Sequence, residues 1–407
     1  MINFCFDNIV DKETCSIYPN LAESFPGKLE DIAGNFSTTY PYSDPPRLLN
    51  YLLDEDIPFE IHNSNNCPGD SFYFINVNFF DHSVNWFERM SPLTLKNVQN
   101  KKFKILFFYC EGDSPERIRN TLYKHAKLHS VDTQQIHFIS HSTIAKHVDN
   151  FYYLNDDEIL FKNAQNYSNS QSLWHNNPRK KKFTCLMRSH KNWRLVVGAY
   201  LYDLGLLSHS YSSYNKVDFS NGFDHTDDFF NAENNPLYNV LTHHQIADFK
   251  KIIPYSTDTL NDSQRNNYET FIDTYFSDAY WNIVVETHLN LDNTIGTFVT
   301  EKTWKPIRHN QPFIIIGTVG SLSHLRELGY RTFDGIIDES YDYIKDDNVR
   351  VNKIFDIIKE LNKKTLAELN ELNLQMKDIV QHNSELFNSS KSDRLLKLIN
   401  QLLNNTE

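Results

Sequence analysis

ETHLNLDNTIGTFVTEKTWKPIRHNQPFIIIG, residues 286–317, decides how this chain is read. An acid, Glu286, ends the apolar, strand-like run Ile283-Val284-Val285. After a polar loop, Thr300-Glu301-Lys302 opens a segment of helical character. Pro312 then leads into a second apolar run, Phe313 to Ile316, that stops at Gly317. Strand, loop, helix and strand make one βαβ unit, and its charged residues fall beyond the carboxyl ends of the strands, where such units bind ligands. A Glu and a Lys side by side at a helix start can grip opposite features of one ligand, hydroxyls with the carboxylate and phosphates with the ammonium. That combination suits a sugar nucleotide.

Working outward, 407 residues are enough for two domains with full cores. Residues 1–67 read as irregular apart from a short helix starting over Leu48 to Leu53. From Ser71 the pattern becomes regular. Ser71 to Asn78 reads as a strand, Val84 to Met90 as a helical turn and Lys104 to Cys110 as a buried strand. Pro115 to His129 follows as a helix with Ile118, Leu122, Tyr123 and Ala126 near helical spacing, then Ile136 to Ser140 as a strand. Such alternation implies an α/β domain with a mainly parallel sheet over residues 1–170. Residues 161–178, rich in Asn, Ser and Gln, read as the linker to a second α/β domain, 171–345. There Phe183 to Met187 reads as a strand and Asn192 to Leu204 as a helix stopped by a left-handed Gly205. Residues 215–268 read as loops and helices, Gly320 to Leu328 as a helix, and Arg331 to Phe333 as a short last strand. Val351 to Leu403 reads as helical throughout, within a segment 346–407 that packs on the body. Its stripe of Ile354, Ile357, Ile358, Leu361, Leu366, Leu369 and Leu372 leaves a homodimer seam as the alternative, and Asn and Ser residues at 383–390 interrupt the register.

The net charge of −12 argues against a broad nucleic-acid-binding surface, which needs clustered Lys and Arg. The densest basic run, Arg179-Lys180-Lys181-Lys182, reads as a solvated edge before a buried strand. No apolar run approaches the roughly 20 residues of a membrane span. The start, MINFCFDNIVDKE, lacks the basic opening and apolar core of a signal peptide, so the expected location is the cytoplasm, of a host cell if the source is viral. Five scattered cysteines without CxxC spacing read as reduced and mostly buried. His137, His141 and His147 lack a metal-ligand pattern, and Asp156-Asp157-Glu158 and Asp227-Asp228 read as solvated loops. The expectation is therefore no metal and no cofactor, with cationic side chains doing the work of a divalent ion.

Three groups of residues carry candidate chemistry. Arg188 to Arg194, RSHKNWR, lies between a strand and a helix, where unpaired backbone N–H groups and the positive dipole end attract anions; Arg188, Lys191 and Arg194 suit it to a diphosphate. Thr300, Glu301 and Lys302 form the second group, with Lys302 placed to neutralise a departing nucleotide diphosphate and Glu301 to accept from ribose hydroxyls. Glu286 could touch the sugar or the base. Third, Glu111 in Glu111-Gly-Asp113-Ser114-Pro115 ends a strand of the first domain and is the candidate general base. Asp113 or Ser114 would cap the helix that begins at Pro115.

These segments carry a family likeness. VVETHLNLDNTIGTFVTEKTWKPIRHNQPFIIIG resembles the donor-binding motif of α1,3-fucosyltransferases, an acid-ended strand followed by a T-E-K-x-W/F helix start and a Pro-led strand. KKFTCLMRSHKNWRLVVGAYLYDLG is similar to their preceding strand–loop–helix, in which Arg194 matches a nucleotide-contacting Arg. Glu301 and Lys302 match the motif's acid and base, and Glu111 matches the family's catalytic carboxylate loosely. The likeness covers about 140 residues, 182–320, and departs at Thr287-His288, where the family usually carries Asn-Ser. It implies the GT-B architecture, two Rossmann-like domains facing a cleft, and metal-independent transfer that inverts the anomeric centre. The Asn- and Lys-rich composition also resembles that of glycosyltransferase-like proteins of bacteriophages and large viruses. The expected activity is transfer of a sugar from a nucleotide-diphosphate sugar to an acceptor hydroxyl, on a glycan or on a hydroxymethylated base in phage DNA. The alternative is a catalytically inert binding or assembly protein of the same shape.

Overall fold

The computed structural model describes residues 2–6, 47–64, 67–77, 80–109, 112–155, 158–159, 174–187, 191–214, 237, 239–256, 273–289, 296–389 and 393–404. The chain forms two compact units. The first comprises Met1–Asn163, Asp292–Gly296 and Lys391–Glu407, the second Ala164–Leu291 and Thr297–Ser390. Each is α/β.

In the first unit, strands β1 (Ile2–Phe6), β2 (Phe59–Asn63), β3 (Ser71–Val77), β4 (Phe103–Tyr109), β5 (Ile136–Ser140) and β6 (Phe151–Tyr153) form a fully parallel sheet in the order β2-β1-β3-β4-β5-β6. Parallel strands are apolar on both faces because both are covered. The period of two sorts them here. Phe72, Phe74, Leu106, Phe108 and Ile139 enter one core cluster, while Tyr73, Ile75, Ile105, Phe107 and Phe138 enter another. The Pro115–Leu128 helix covers the second face through Ile118, Leu122 and Ala126, and Ser114 accepts its N-cap bond from the Arg117 N–H. The other face is closed by Leu48, Leu49 and Leu52 and by the last helix, Asp393–Asn404, through Leu395, Leu398, Ile399 and Leu402. Residues 346–407 are thus divided, since the final helix belongs to the first unit and the helices before it to the second. The irregular reading of 1–67 missed β1 and β2. Each is only five residues long, and polar residues face each other between them, with His62 Nε2 3.1 Å from Asn3 Oδ1.

In the second unit, β7 (Lys181–Met187), β8 (Ser210–Tyr214), β9 (Tyr255–Ser256), β10 (Ala279–Val285) and β11 (Phe313–Ile316) take the order β11-β10-β7-β8-β9, with only β9 antiparallel. Counted within the unit this is 5-4-1-2-3. Chain connections run outward in opposite directions from β7 and β10, which makes the junction of these two strands the topological switch point. The Asn192–Asp203 helix ends at Gly205, left-handed at φ 67°. Arg331–Phe333 is not a strand; the N–H and carbonyl of Arg331 are bonded instead by the Asn383 side chain at 2.7 and 2.8 Å. Nor do the polar residues after 382 end a helix. Lys377–Ser389 runs through Asn383 and Ser384, both buried, and Ser384 Oγ donates to the Arg308 carbonyl at 3.0 Å. The tail does break at Thr365, which caps Leu366–Gln375 with Glu368 in a reciprocal capping box. Ile354, Ile357, Ile358 and Leu361 are buried within the chain, whereas Leu366 is exposed. No helix among the described residues is long and apolar enough to cross a membrane.

If the last helix closes the first core, Leu398→Ala costs about 2–5 kcal/mol, while Leu396→Ala, at a position 45 % exposed, stays within about 0.5 kcal/mol. Urea unfolding of the two variants beside the wild type measures the contrast.

Candidate functional site

Glu286 follows the last residue of β10, and its N–H donates to the Ile316 carbonyl at 2.9 Å, so the acid leaves the sheet from a fixed point. Its side chain is fully buried. Oε1 accepts from the Thr300 N–H at 3.1 Å and the Thr303 hydroxyl at 2.7 Å. Oε2 accepts from the Thr300 hydroxyl at 2.6 Å and the Thr287 N–H at 3.3 Å. Four donors offset the cost of burying a carboxylate. Gly317 stands against this side chain, and a Cβ there would lie 3.1 Å from Glu286 Cβ. The carboxylate therefore does not reach out to a sugar or base; it fixes where the Glu301–Arg308 helix begins.

Thr300 is the N-cap of that helix. The next two residues project their charges together. Lys302 Nζ lies 2.6 Å from Glu301 Oε1, 3.1 Å from Thr287 Oγ1 and 3.2 Å from Thr300 Oγ1, an acceptor for each of its three protons. Lys302 and Glu301 are 23 % and 20 % exposed, so the pair sits at the boundary between protein and solvent. Burial pushes the Glu301 pKa up, but the charges of Lys302 and Lys305 and hydrogen bonds from Lys302 and Thr300 outweigh it and bring the carboxyl down to about 2.

The second cationic segment meets the first on Glu286 and Thr287. Lys191, the N-cap residue of the Asn192–Asp203 helix, makes no side-chain capping bond; its Nζ donates to the Thr287 carbonyl at 2.9 Å and lies 5.1 Å from the Trp193 ring centroid. Trp193 Nε1 and Arg194 Nη2 each donate to the Glu286 carbonyl at 3.4 Å. Burial lowers the pKa of the Arg194 guanidinium, and the negative charges of Glu301 and Glu286 oppose that shift.

The structure thus brings together Lys191, Arg194, Glu286, Thr300, Glu301 and Lys302 at the carboxyl ends of β7 and β10. Arg188 and Glu111 lie outside the described residues. The sequence reading missed Thr287, Trp193, Thr303 and Gly317. Thr303 was the most accessible of these, one turn beyond Thr300, and a second hydroxyl on that face signals a buried acceptor. Thr287, where the sequence departs from the fucosyltransferase pattern, contributes its N–H, carbonyl and hydroxyl. The basic run at 179–182 is a solvated edge only in part, with the Lys180 side chain 79 % exposed. Arg179 is buried and donates to the Phe276 and Ala279 carbonyls at 3.3 and 2.6 Å, and Lys182 donates to the Asn362 carbonyl at 2.5 Å. Ser114, not Asp113, is the helix cap, and Asp113 Oδ1 accepts from the Ser114 N–H at 2.7 Å. Among the described residues no group of three or more His, Cys, Asp or Glu is placed to hold a metal ion. Comparison with family models, curated proteins and solved structures finds no match.

Two outcomes follow from this geometry. Glu286→Ala leaves buried donors without an acceptor and lowers stability by roughly 2–4 kcal/mol, measured by chemical denaturation; a loss below about 0.5 kcal/mol would contradict the clamp. Because the folded-state pKa of Glu301 is depressed, its contribution is complete above the ordinary value of 4.5 and fades as pH falls from there toward 2. The melting temperatures of wild type and Glu301→Gln therefore converge over that acid range.

Proposed function

We propose that the cluster at the β7–β10 junction binds the diphosphate of a nucleotide sugar, and that the protein is a GT-B-type, metal-independent, inverting glycosyltransferase. One observation carries the reading. Lys191, Arg194 and Lys302 converge beside Glu301 where the connections of an α/β sheet reverse, the place at which such sheets bind nucleotides. Three cations against the two carboxylates of Glu286 and Glu301 leave the cluster one positive charge in excess. The Lys302 ammonium, held against Glu301 and two hydroxyls, transfers to a phosphate oxygen when the nucleotide arrives, and Glu301 is then open to ribose hydroxyls.

In the reaction the acceptor oxygen attacks the anomeric carbon as the bond from that carbon to the diphosphate oxygen breaks. The electron pair stays on the diphosphate, and Lys302 and Arg194 stabilise it. Preorganised charge of this kind is commonly the largest contribution to catalysis. On the sequence likeness alone, Glu111 is the residue we propose to take the acceptor proton. The acceptor is a hydroxyl of a glycan or of a hydroxymethylated DNA base. Burial of Arg179 and the carbonyl bond of Lys182 remove part of the basic run that would track a phosphate backbone, which favours the glycan.

A panel of nucleoside diphosphates in a thermal-shift assay tests the binding step. One of them is expected to stabilise the protein by about 2.7 kcal/mol at one hundred times its dissociation constant. Lys302→Ala is expected to abolish transfer and leave the fold intact. Full activity in that variant overturns the assignment, and tight nucleotide binding without transfer to any acceptor favours the inert alternative.

A further inference from the structure

The first unit carries a second polar constellation, built on loops that follow neighbouring parallel strands. His82 lies in the loop after β3 and Asp113 in the loop after β4. His82 Nε2 is 2.8 Å from Asp113 Oδ2, and His82 Nδ1 is 2.8 Å from the hydroxyl of Thr121 on the Pro115–Leu128 helix. The carboxylate only accepts, so Nε2 carries a proton toward it, and Nδ1 faces the Thr121 hydroxyl. Asp113 is held in turn by the Ser114 N–H, and the imidazole meets the buried Phe80 ring edge-on at 5.0 Å. A helical threonine ordinarily returns its proton to the carbonyl four residues back. Thr121 makes that bond, donating to the Arg117 carbonyl at 3.1 Å, and its oxygen also lies 2.8 Å from the imidazole Nδ1, so the hydroxyl can turn its proton to either acceptor. Thr121 also lines an open groove of about 420 Å³ with Ser114, Glu116, Arg117, Asn120 and Lys124.

We propose that Asp113, His82 and Thr121 form a hydroxyl-activating relay, and that Thr121 is a nucleophile toward carboxylic esters entering this groove. The arrangement has the logic of an acid–imidazole–hydroxyl triad, recognised by geometry rather than by chain order. Thr121 Oγ bonds to the acyl carbon while its proton passes to His82 Nδ1, and the carbonyl π pair moves onto oxygen. That oxyanion faces a groove lined by the Arg117 and Lys124 cations, the Glu116 carboxylate and the Asn120 amide, a net single positive charge that favours the developing anion. As the carbonyl re-forms, the alkoxide leaves and takes the proton from Nδ1. Water then adds to the acyl-threonine in the same way, releasing the acid and restoring the hydroxyl. Asp113 is a positioning residue, acting through the ring it orients. The inference is independent of the glycosyl-transfer reading.

The test incubates the full chain with 4-nitrophenyl acetate and maps the acetyl adduct by peptide mass spectrometry. The adduct is expected on Thr121 in the wild type and on the hydroxyl at the same position in Thr121→Ser. His82→Gln and Asp113→Asn should acylate at least about a hundredfold more slowly, with circular dichroism matching the wild type. A folded wild-type protein with no adduct at Thr121 overturns the proposal. So does acylation of Thr121 at an unchanged rate in folded His82→Gln.

Discussion

The second unit depends on one buried carboxylate. Glu286 leaves β10 at its carboxyl end and accepts from two backbone N–H groups and two hydroxyls, three of these four donors belonging to Thr300 and Thr303. Its backbone carbonyl takes two further bonds, from Trp193 and Arg194. One residue therefore sets the start of the helix that carries Glu301 and Lys302 and anchors the helix that carries Arg194. A charged group without water is tolerated only when it is this fully bonded, and the price is a locally rigid frame. That rigidity is what a site for a multiply charged ligand requires, because donors held in place need no reorganisation when charge arrives.

The βαβ unit was legible because its parts have strong local signals. β10 and β11 are unbroken apolar runs, Thr300 is an N-cap type, and the Glu-Lys pair stands where the helix begins. The helix after Pro115 was equally plain, with Ser and Pro at its entry and Ile118, Leu122 and Ala126 at helical spacing. β1 and β2 were not legible, since five residues with polar members give little periodicity and their pairing is decided by partners about 57 positions apart. Arg331–Phe333 failed as a strand for a related reason: its hydrogen bonds come from Asn383, and no local pattern announces a side chain arriving from so far along the chain.

Site residues divided along the same line. Charged residues at strand ends and helix starts could be singled out by type and position, and five of them meet in the structure together with Thr300. Their roles were harder to read. Glu286 looked like a ligand contact because acids at strand ends often are, yet its environment makes it a clamp. Arg179 looked like a solvated edge because basic runs usually are, yet its guanidinium serves carbonyls of the segment 276–279. His82 and Asp113, 31 positions apart, are joined only by the fold. Tertiary contact set the environment in each case, and composition could not foresee it.

Hydrogen–deuterium exchange with and without the nucleoside diphosphate that binds tests the central claim most directly. The account predicts protection centred on residues 191–198, 286–289 and 297–303, where the Glu286 clamp presents Lys191, Arg194 and Lys302. Binding that leaves these segments unchanged, or that protects only the first unit, would contradict it.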